Sequence, residues 1–200
     1  MQIHNVSLSF KANRNYIHGT DLFNELLSYF TEKNLTNINY TIHKLIENNH
    51  GHIYIADTAE EFKYLLPISN ATIRLCADEK MHWVAFLFAD EPPINSIRYM
   101  YDENNLIKLC RFGEKTIVLH EGSPFTFIET IVAMHKQLLQ TLHPNAGKWL
   151  FTKLILTSYP VSGKTISISY RHNFNFKLVK SSILIDGELM GEIYFSLLAE

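Results

Sequence analysis

The stretch His18-Gly19-Thr20-Asp21-Leu22-Phe23-Asn24-Glu25-Leu26-Leu27 and, 104 positions later, the stretch Gly122-Ser123-Pro124-Phe125-Thr126-Phe127-Ile128-Glu129-Thr130-Ile131 decide the reading of this chain. Laid over one another, they place Phe23 on Phe127 and Glu25 on Glu129. Each starts at or just after a histidine (His18, His120) and runs into an amphipathic helix. In the first, Leu22, Phe23, Leu26, Leu27, Tyr29 and Phe30 recur at three- and four-residue intervals, which predicts a helix over 20–33. Thr20 or Asp21 would cap its free N–H groups, and the polar run 34–37 would close it. In the second, Phe127, Ile128, Ile131, Val132, Met134, Leu138, Leu139 and Leu142 predict a helix over 125–142.

Strand-like runs come after each helix. The first is succeeded by 38–46 and 52–55, which Asn48-Asn49-His50-Gly51 would join as a hairpin. A short helical piece over 58–66 and the strands 71–76 and 81–88 complete that half. In the second half 97–101 and 106–111 read as a hairpin around Asp102-Glu103-Asn104-Asn105, and 115–119 leads into the helix. The runs 149–157, 165–172, 176–185 and 188–197 come after it, with Asp186-Gly187 as a two-residue turn. Helix-then-strands twice over predicts two α+β units of about a hundred residues. The pair Pro92-Pro93 cannot continue a ladder, so the boundary is expected there, giving units 1–93 and 94–200.

Composition narrows the function classes. The 200 residues are 46% hydrophobic, with 13 Phe and 10 Tyr, enough for a substantial core. Eighteen basic and 20 acidic side chains leave a net charge of −2 with no basic stripe, so no nucleic-acid partner is expected. Cys76 and Cys110 are the only cysteines, which fits free thiols in a reducing compartment. No apolar run approaches membrane-spanning length and no signal pattern opens the chain, so no membrane span and a cytoplasmic location are expected. The GxSxG, HExxH, GxGxxG and GxxxxGK[ST] frames are absent, so no cofactor is expected. His50-Gly51-His52 lacks a third ligand at a readable spacing, so no metal is expected either.

A loop, a central helix and a run of antiparallel strands resemble the hotdog fold of acyl-thioester enzymes. Two such units in one chain resemble a double hotdog, each unit a long central helix wrapped by an antiparallel sheet. The likeness is clearest over 115–200. His120-Glu121-Gly122 with Glu129 nine positions after the histidine resembles the loop and acidic helix residue of hotdog thioesterases, with Glu121 in place of a glycine. In the first half, His18-Gly19 has Glu25 at seven. His120 with Pro124-Phe125 also resembles a dehydratase segment.

That resemblance implies a hydrolase acting on a fatty-acyl thioester of coenzyme A or an acyl carrier protein. Glu129 would be base or nucleophile and His120 the orienting group. Gly122, Ser123, Pro124 and Phe125, with His18, Gly19 and Glu25, would bind the substrate, and backbone N–H groups near 123–126 would hold the oxyanion. The alternatives are a hotdog that binds an acyl chain or a protein without turnover, and a (3R)-hydroxyacyl dehydratase-like enzyme. The resemblance also allows homo-oligomers of the double unit. Each candidate has a structural reading as well: Glu129 as a first-turn acid stabilised by the helix dipole, His120 as a loop hydrogen-bonder, and His135 and His143 as surface or helix-end groups.

Overall fold

The structure is a computed structural model that describes residues 1–30, 34–88, 98–120, 122–160, 165–175 and 177–198. The chain divides into two compact units, Met1–Tyr101 and Asp102–Glu200. The Pro92-Pro93 pair that suggested a boundary lies outside the described residues.

In the first unit, β1 (Gln2–Ser7) is followed by α1 (Gly19–Ser28), β2 (Leu35–Ile42) and β3 (His50–Ala56). Next come α2 (Ala59–Leu65), a 3-10 turn (Leu66–Ile68), β4 (Ala71–Ala77) and β5 (Lys80–Phe88). The strand order is β1-β3-β5-β4-β2, and every neighbouring pair is antiparallel. Leu22, Phe23 and Leu26 form the buried face of α1, and Phe23 meets Tyr40 of β2 with ring centroids 5.6 Å apart.

The second unit holds α3 (Asn104–Ile107), β6 (Cys110–Phe112), β7 (Thr116–Leu119) and α4 (Phe127–Leu142). After them come β8 (Lys148–Ser158), β9 (Ile166–Phe174), β10 (Leu178–Ile185) and β11 (Glu188–Leu198). The order is β8-β11-β10-β9-β7-β6, again antiparallel. From Ile128 to His135 every side chain of α4 is buried, and the helix packs across β7, β8, β9 and β11. Such a helix is core on all sides along its first two turns rather than an amphipathic cover.

Both units therefore send a helix from one side of the order to the other: α1 from β1 to β2, the two ends, and α4 from β7, next to the end strand β6, to β8 at the other end. The strands beyond the helix are connected differently. β9, β10 and β11 are sequential neighbours, and Asp186 and Gly187 turn the chain at φ 50° and 88°. In the first unit β5 lies between β3 and β4, so those two run in the same direction. A crossover is then required, and α2 supplies it.

Three local expectations are corrected. β2 and β3 do not form a hairpin, because β2 pairs with β4 and β3 with β1 and β5. The connection between them gives its backbone to other segments: Ile46 O accepts from Ile17 N at 2.7 Å, and Asn49 O from Leu8 N at 2.7 Å. The polar run after α1 does not close a helix but opens β2, where Asn37 at φ 51° forms a bulge opposite β4. The hairpin expected around Asp102 is α3 instead. Asp102 Oδ1 accepts from Asn104 N at 3.0 Å, and Leu106 buries fully.

Candidate functional site at the helix starts

The α4 start is tied by its own side chains. Thr126 is the N-cap, and its Oγ1 accepts from Glu129 N at 3.4 Å. Glu129 Oε2 accepts from Thr126 N at 3.1 Å and from Thr126 Oγ1 at 2.8 Å, which completes a capping box. Phe125 N donates to Ser123 Oγ at 3.0 Å, Ser123 Oγ meets Thr130 Oγ1 at 2.5 Å, and Thr130 Oγ1 donates to Thr126 O at 2.8 Å. Of the N–H groups expected near 123–126 to hold an oxyanion, those of Phe125 and Thr126 thus already have acceptors, whereas the next two, of Phe127 and Ile128, make no hydrogen bond among the described residues. Glu129 is buried, whereas His120, Gly122 and Pro124 are exposed and Ser123 and Phe125 half-buried. No hydrogen bond joins His120 to Glu129 among the described residues.

The α1 start is built differently. Its N-cap is His18, not Thr20 or Asp21, and His18 makes no side-chain bond to the helix end. Gly19 and Thr20 are buried, and their N–H groups make no hydrogen bond among the described residues. Thr20 and Asp21 turn instead toward Lys11, whose side chain is 0% exposed. The Lys11 ammonium lies 2.6 Å from Asp21 Oδ1 and donates to Thr20 Oγ1 at 3.0 Å. Thr20 Oγ1 is 2.7 Å from His18 Nδ1.

Tyrosines surround this pair. Tyr99 Oη donates to Asp21 Oδ1 at 3.0 Å, and the Tyr101 ring lies 4.5 Å beneath Lys11 Nζ and 6.0 Å from the His18 ring. Tyr40 Oη donates to Gly19 O at 2.9 Å, and burial, then the Asp21 carboxylate, hold its phenol well above the ordinary value. Glu25 is half-buried one turn on and accepts from Tyr29 Oη at 3.3 Å. The sequence singled out His18, Gly19 and Glu25 in this unit but not Lys11, Asp21, Tyr99 or Tyr101.

No family model matches the chain, and no curated protein matches it. Solved structures do. A structure described as a thioesterase II of Thermobifida fusca YX superposes with a TM-score of 0.57 at 9% identity, over 99% of this chain and 92% of that one. A tesB protein of Mycobacterium avium subsp. paratuberculosis gives 0.52 at 11%, over 97% and 92%. The dehydratase domain of PpsC from Mycobacterium tuberculosis, solved in complex with C12:1-CoA, gives 0.51 at 7%, over 98% and 93%. The fold is the double hotdog. This chain shares it with thioesterase-like and dehydratase proteins along nearly its whole length.

Within the double hotdog a second His–hydroxyl pair needs its own reading. His135 on α4 was expected at the surface, but it is fully buried, with Nε2 2.8 Å from Ser181 Oγ and its ring edge-on to Phe195 at 4.6 Å. Burial lowers its pKa to about 3. Ser181 is equally enclosed, so this is a polar tie in the core and not a nucleophile with its base. His143 caps the end of α4 and tilts against Trp149 and Tyr170.

Cys76 and Cys110 are free thiols, and burial pushes Cys110 up to about 11. Among the described residues, no group of three or more His, Cys, Asp or Glu side chains could hold a metal ion. No helix there is long and apolar enough to cross a membrane. A surface depression of about 330 Å³ beside Asn5, His50 and His52 includes none of the candidate residues.

Proposed function

We propose that the chain takes an acyl thioester of coenzyme A or an acyl carrier protein and hydrolyses it, with the carbonyl oxygen held at the start of α1. The observation that carries this reading is the His18 ring at the N-cap of α1, beside the unbonded N–H groups of the buried residues Gly19 and Thr20. The first N–H groups of any helix lack an intrahelical acceptor, and at α1 they lie beside an imidazole, so an oxygen placed there would meet donors already in position. A helix N-terminus suits an oxygen that gains negative charge. In hydrolysis, water adds to the carbonyl carbon, the C–S bond breaks, and the thiol leaves with a proton from that water. The donors at α1 stabilise the oxyanion formed in between.

The rival site is the start of α4, with Glu129 as base or nucleophile, His120 as orienting group, and Gly122 to Phe125 against the substrate. Phe127 and Ile128 leave two N–H groups without a hydrogen bond there as well, but the Glu129 carboxylate is tied to the cap and no histidine caps that helix, which is why α1 is preferred. The capping box also favours a second reading, a hotdog that binds acyl thioesters without turnover, because it ties Glu129 Oε2 to Thr126.

A panel of acyl-CoA substrates followed by thiol release tests these readings. Turnover is expected in the parent protein. His18→Phe, which keeps a ring against Tyr101, should lower it by about 10²- to 10³-fold, the usual effect of losing one oxyanion donor. A loss of that size in Glu129→Gln but not in His18→Phe would move the reaction to α4. Acyl-CoA binding without thiol release would establish the second reading.

A further inference from the structure

We infer that Asp21, Lys11 and Thr20 form a positioning relay that locks the His18 ring in one tautomer, with the proton on Nε2, so that His18 acts as a hydrogen-bond donor to the acyl carbonyl. The donor role rests on the acyl-thioester reading above; the tautomer does not.

The argument is a count of protons. Lys11 is an ammonium that can only donate, so its 3.0 Å contact occupies one lone pair of Thr20 Oγ1. Thr20 is 0% exposed and its hydroxyl makes no hydrogen bond beyond those to Lys11 and His18 among the described residues. Its hydroxyl proton therefore has one acceptor, His18 Nδ1 at 2.7 Å. Were Nδ1 protonated and donating, the Thr20 proton would be buried with nowhere to go, an arrangement that buried hydroxyls avoid.

With Nδ1 accepting, a neutral ring carries its proton on Nε2. Asp21 fixes the other end. Its Oδ1 lies 2.6 Å from Lys11 Nζ and accepts from Tyr99 Oη, which holds the ammonium where it must donate to Thr20. A buried ion pair adds little net stability over apolar packing, so orienting a neighbouring ring gives this one a use.

The test is a long-range proton–nitrogen correlation spectrum of the full chain labelled with ¹⁵N-histidine, with His18 identified by the signal missing from His18→Phe. The expected result is a single Nε2–H tautomer. Thr20→Val should release it into a mixture of both forms, and Thr20→Ser should restore the single form. A protonated Nδ1 in the parent protein, or a tautomer unchanged in Thr20→Val, overturns the relay. If Thr20→Val does not fold, the parent spectrum decides alone.

Two unreactive acyl-CoA analogues then test the donor role. One keeps the carbonyl as a ketone, and the other is a thioether without it. The ketone should shift the His18 Nε2–H resonance and the thioether should not; equal shifts from both overturn the donor role. If neither analogue binds, the acyl-thioester reading and the donor role fall together, while the tautomer still judges the relay.

Discussion

His135 is where a single residue most strongly links burial to solution behaviour. Burial lowers it to about 3, while an unfolded histidine titrates near 6.5. Below about pH 6.5 the unfolded chain therefore binds a proton that the native one refuses. The stability tied to the neutral ring is fully present above that pH and is lost as pH falls toward 3. By pH 5 the loss should be about 2 kcal/mol. Urea titrations at pH 7.5 and 5 should show it in the parent and not in His135→Gln, whose amide can still meet Ser181; equal losses in both would sink this assignment. Glu129→Gln should leave the thermal midpoint nearly unchanged, because glutamine also closes a capping box. Thr126→Ala should destabilise the protein by about 1 kcal/mol, read by urea denaturation. At this scale His18, Glu25, His120 and Glu129 were singled out in sequence because the resemblance pointed to them, whereas His135 was expected at the surface and is buried. Lys11, Asp21 and Tyr99 were not singled out, since Tyr99 reaches Asp21 across 78 positions and nothing in a linear pattern announces such a meeting.

Among the elements, those whose pattern comes from local chemistry were legible. The apolar spacing of α4, the alternation of Thr165-Ile166-Ser167-Ile168-Ser169-Tyr170 and the Asp186-Gly187 turn all correspond to elements found. Besides the helix found at Asn104–Ile107 in place of a turn, what failed were pairings. Asn48-Asn49-His50-Gly51 has turn composition, yet β2 and β3 lie at different places in the order, because the choice of partner is made by the whole sheet. Gly191 belongs to the same class of hidden constraint. It sits in β11 where a Cβ would come 2.0 Å from Ile155 O of β8, so strand and neighbour approach closely only because no side chain intervenes. Gly191→Ala should cost about 1–3 kcal/mol, the usual range for overpacking, and should raise amide exchange along β8 and β11. An unchanged denaturation midpoint would show that the strands can part at no cost.

For the whole molecule, the repeat read from two short stretches corresponds to two units of one fold that are not copies of one connectivity. That difference has a kinetic consequence. In the second unit β9, β10 and β11 are neighbours both in the sheet and in the chain, as when Ile183 pairs with Gly191. In the first, Gly51 must find Phe88 after α2 and β4 have intervened. Closing the longer loop forfeits more chain entropy before any contact compensates, and domains rich in distant pairings fold more slowly. Although it is made later on the ribosome, the second unit should therefore acquire its structure first when the full chain refolds from denaturant. Pulsed hydrogen exchange should protect the amides of β10 and β11 in an early phase and those of β3 and β5 in a later one. Until that later phase, the apolar faces of Ile53, Ile55, Val84 and Phe86 stand uncovered, which makes the first unit the place where aggregation during refolding would begin.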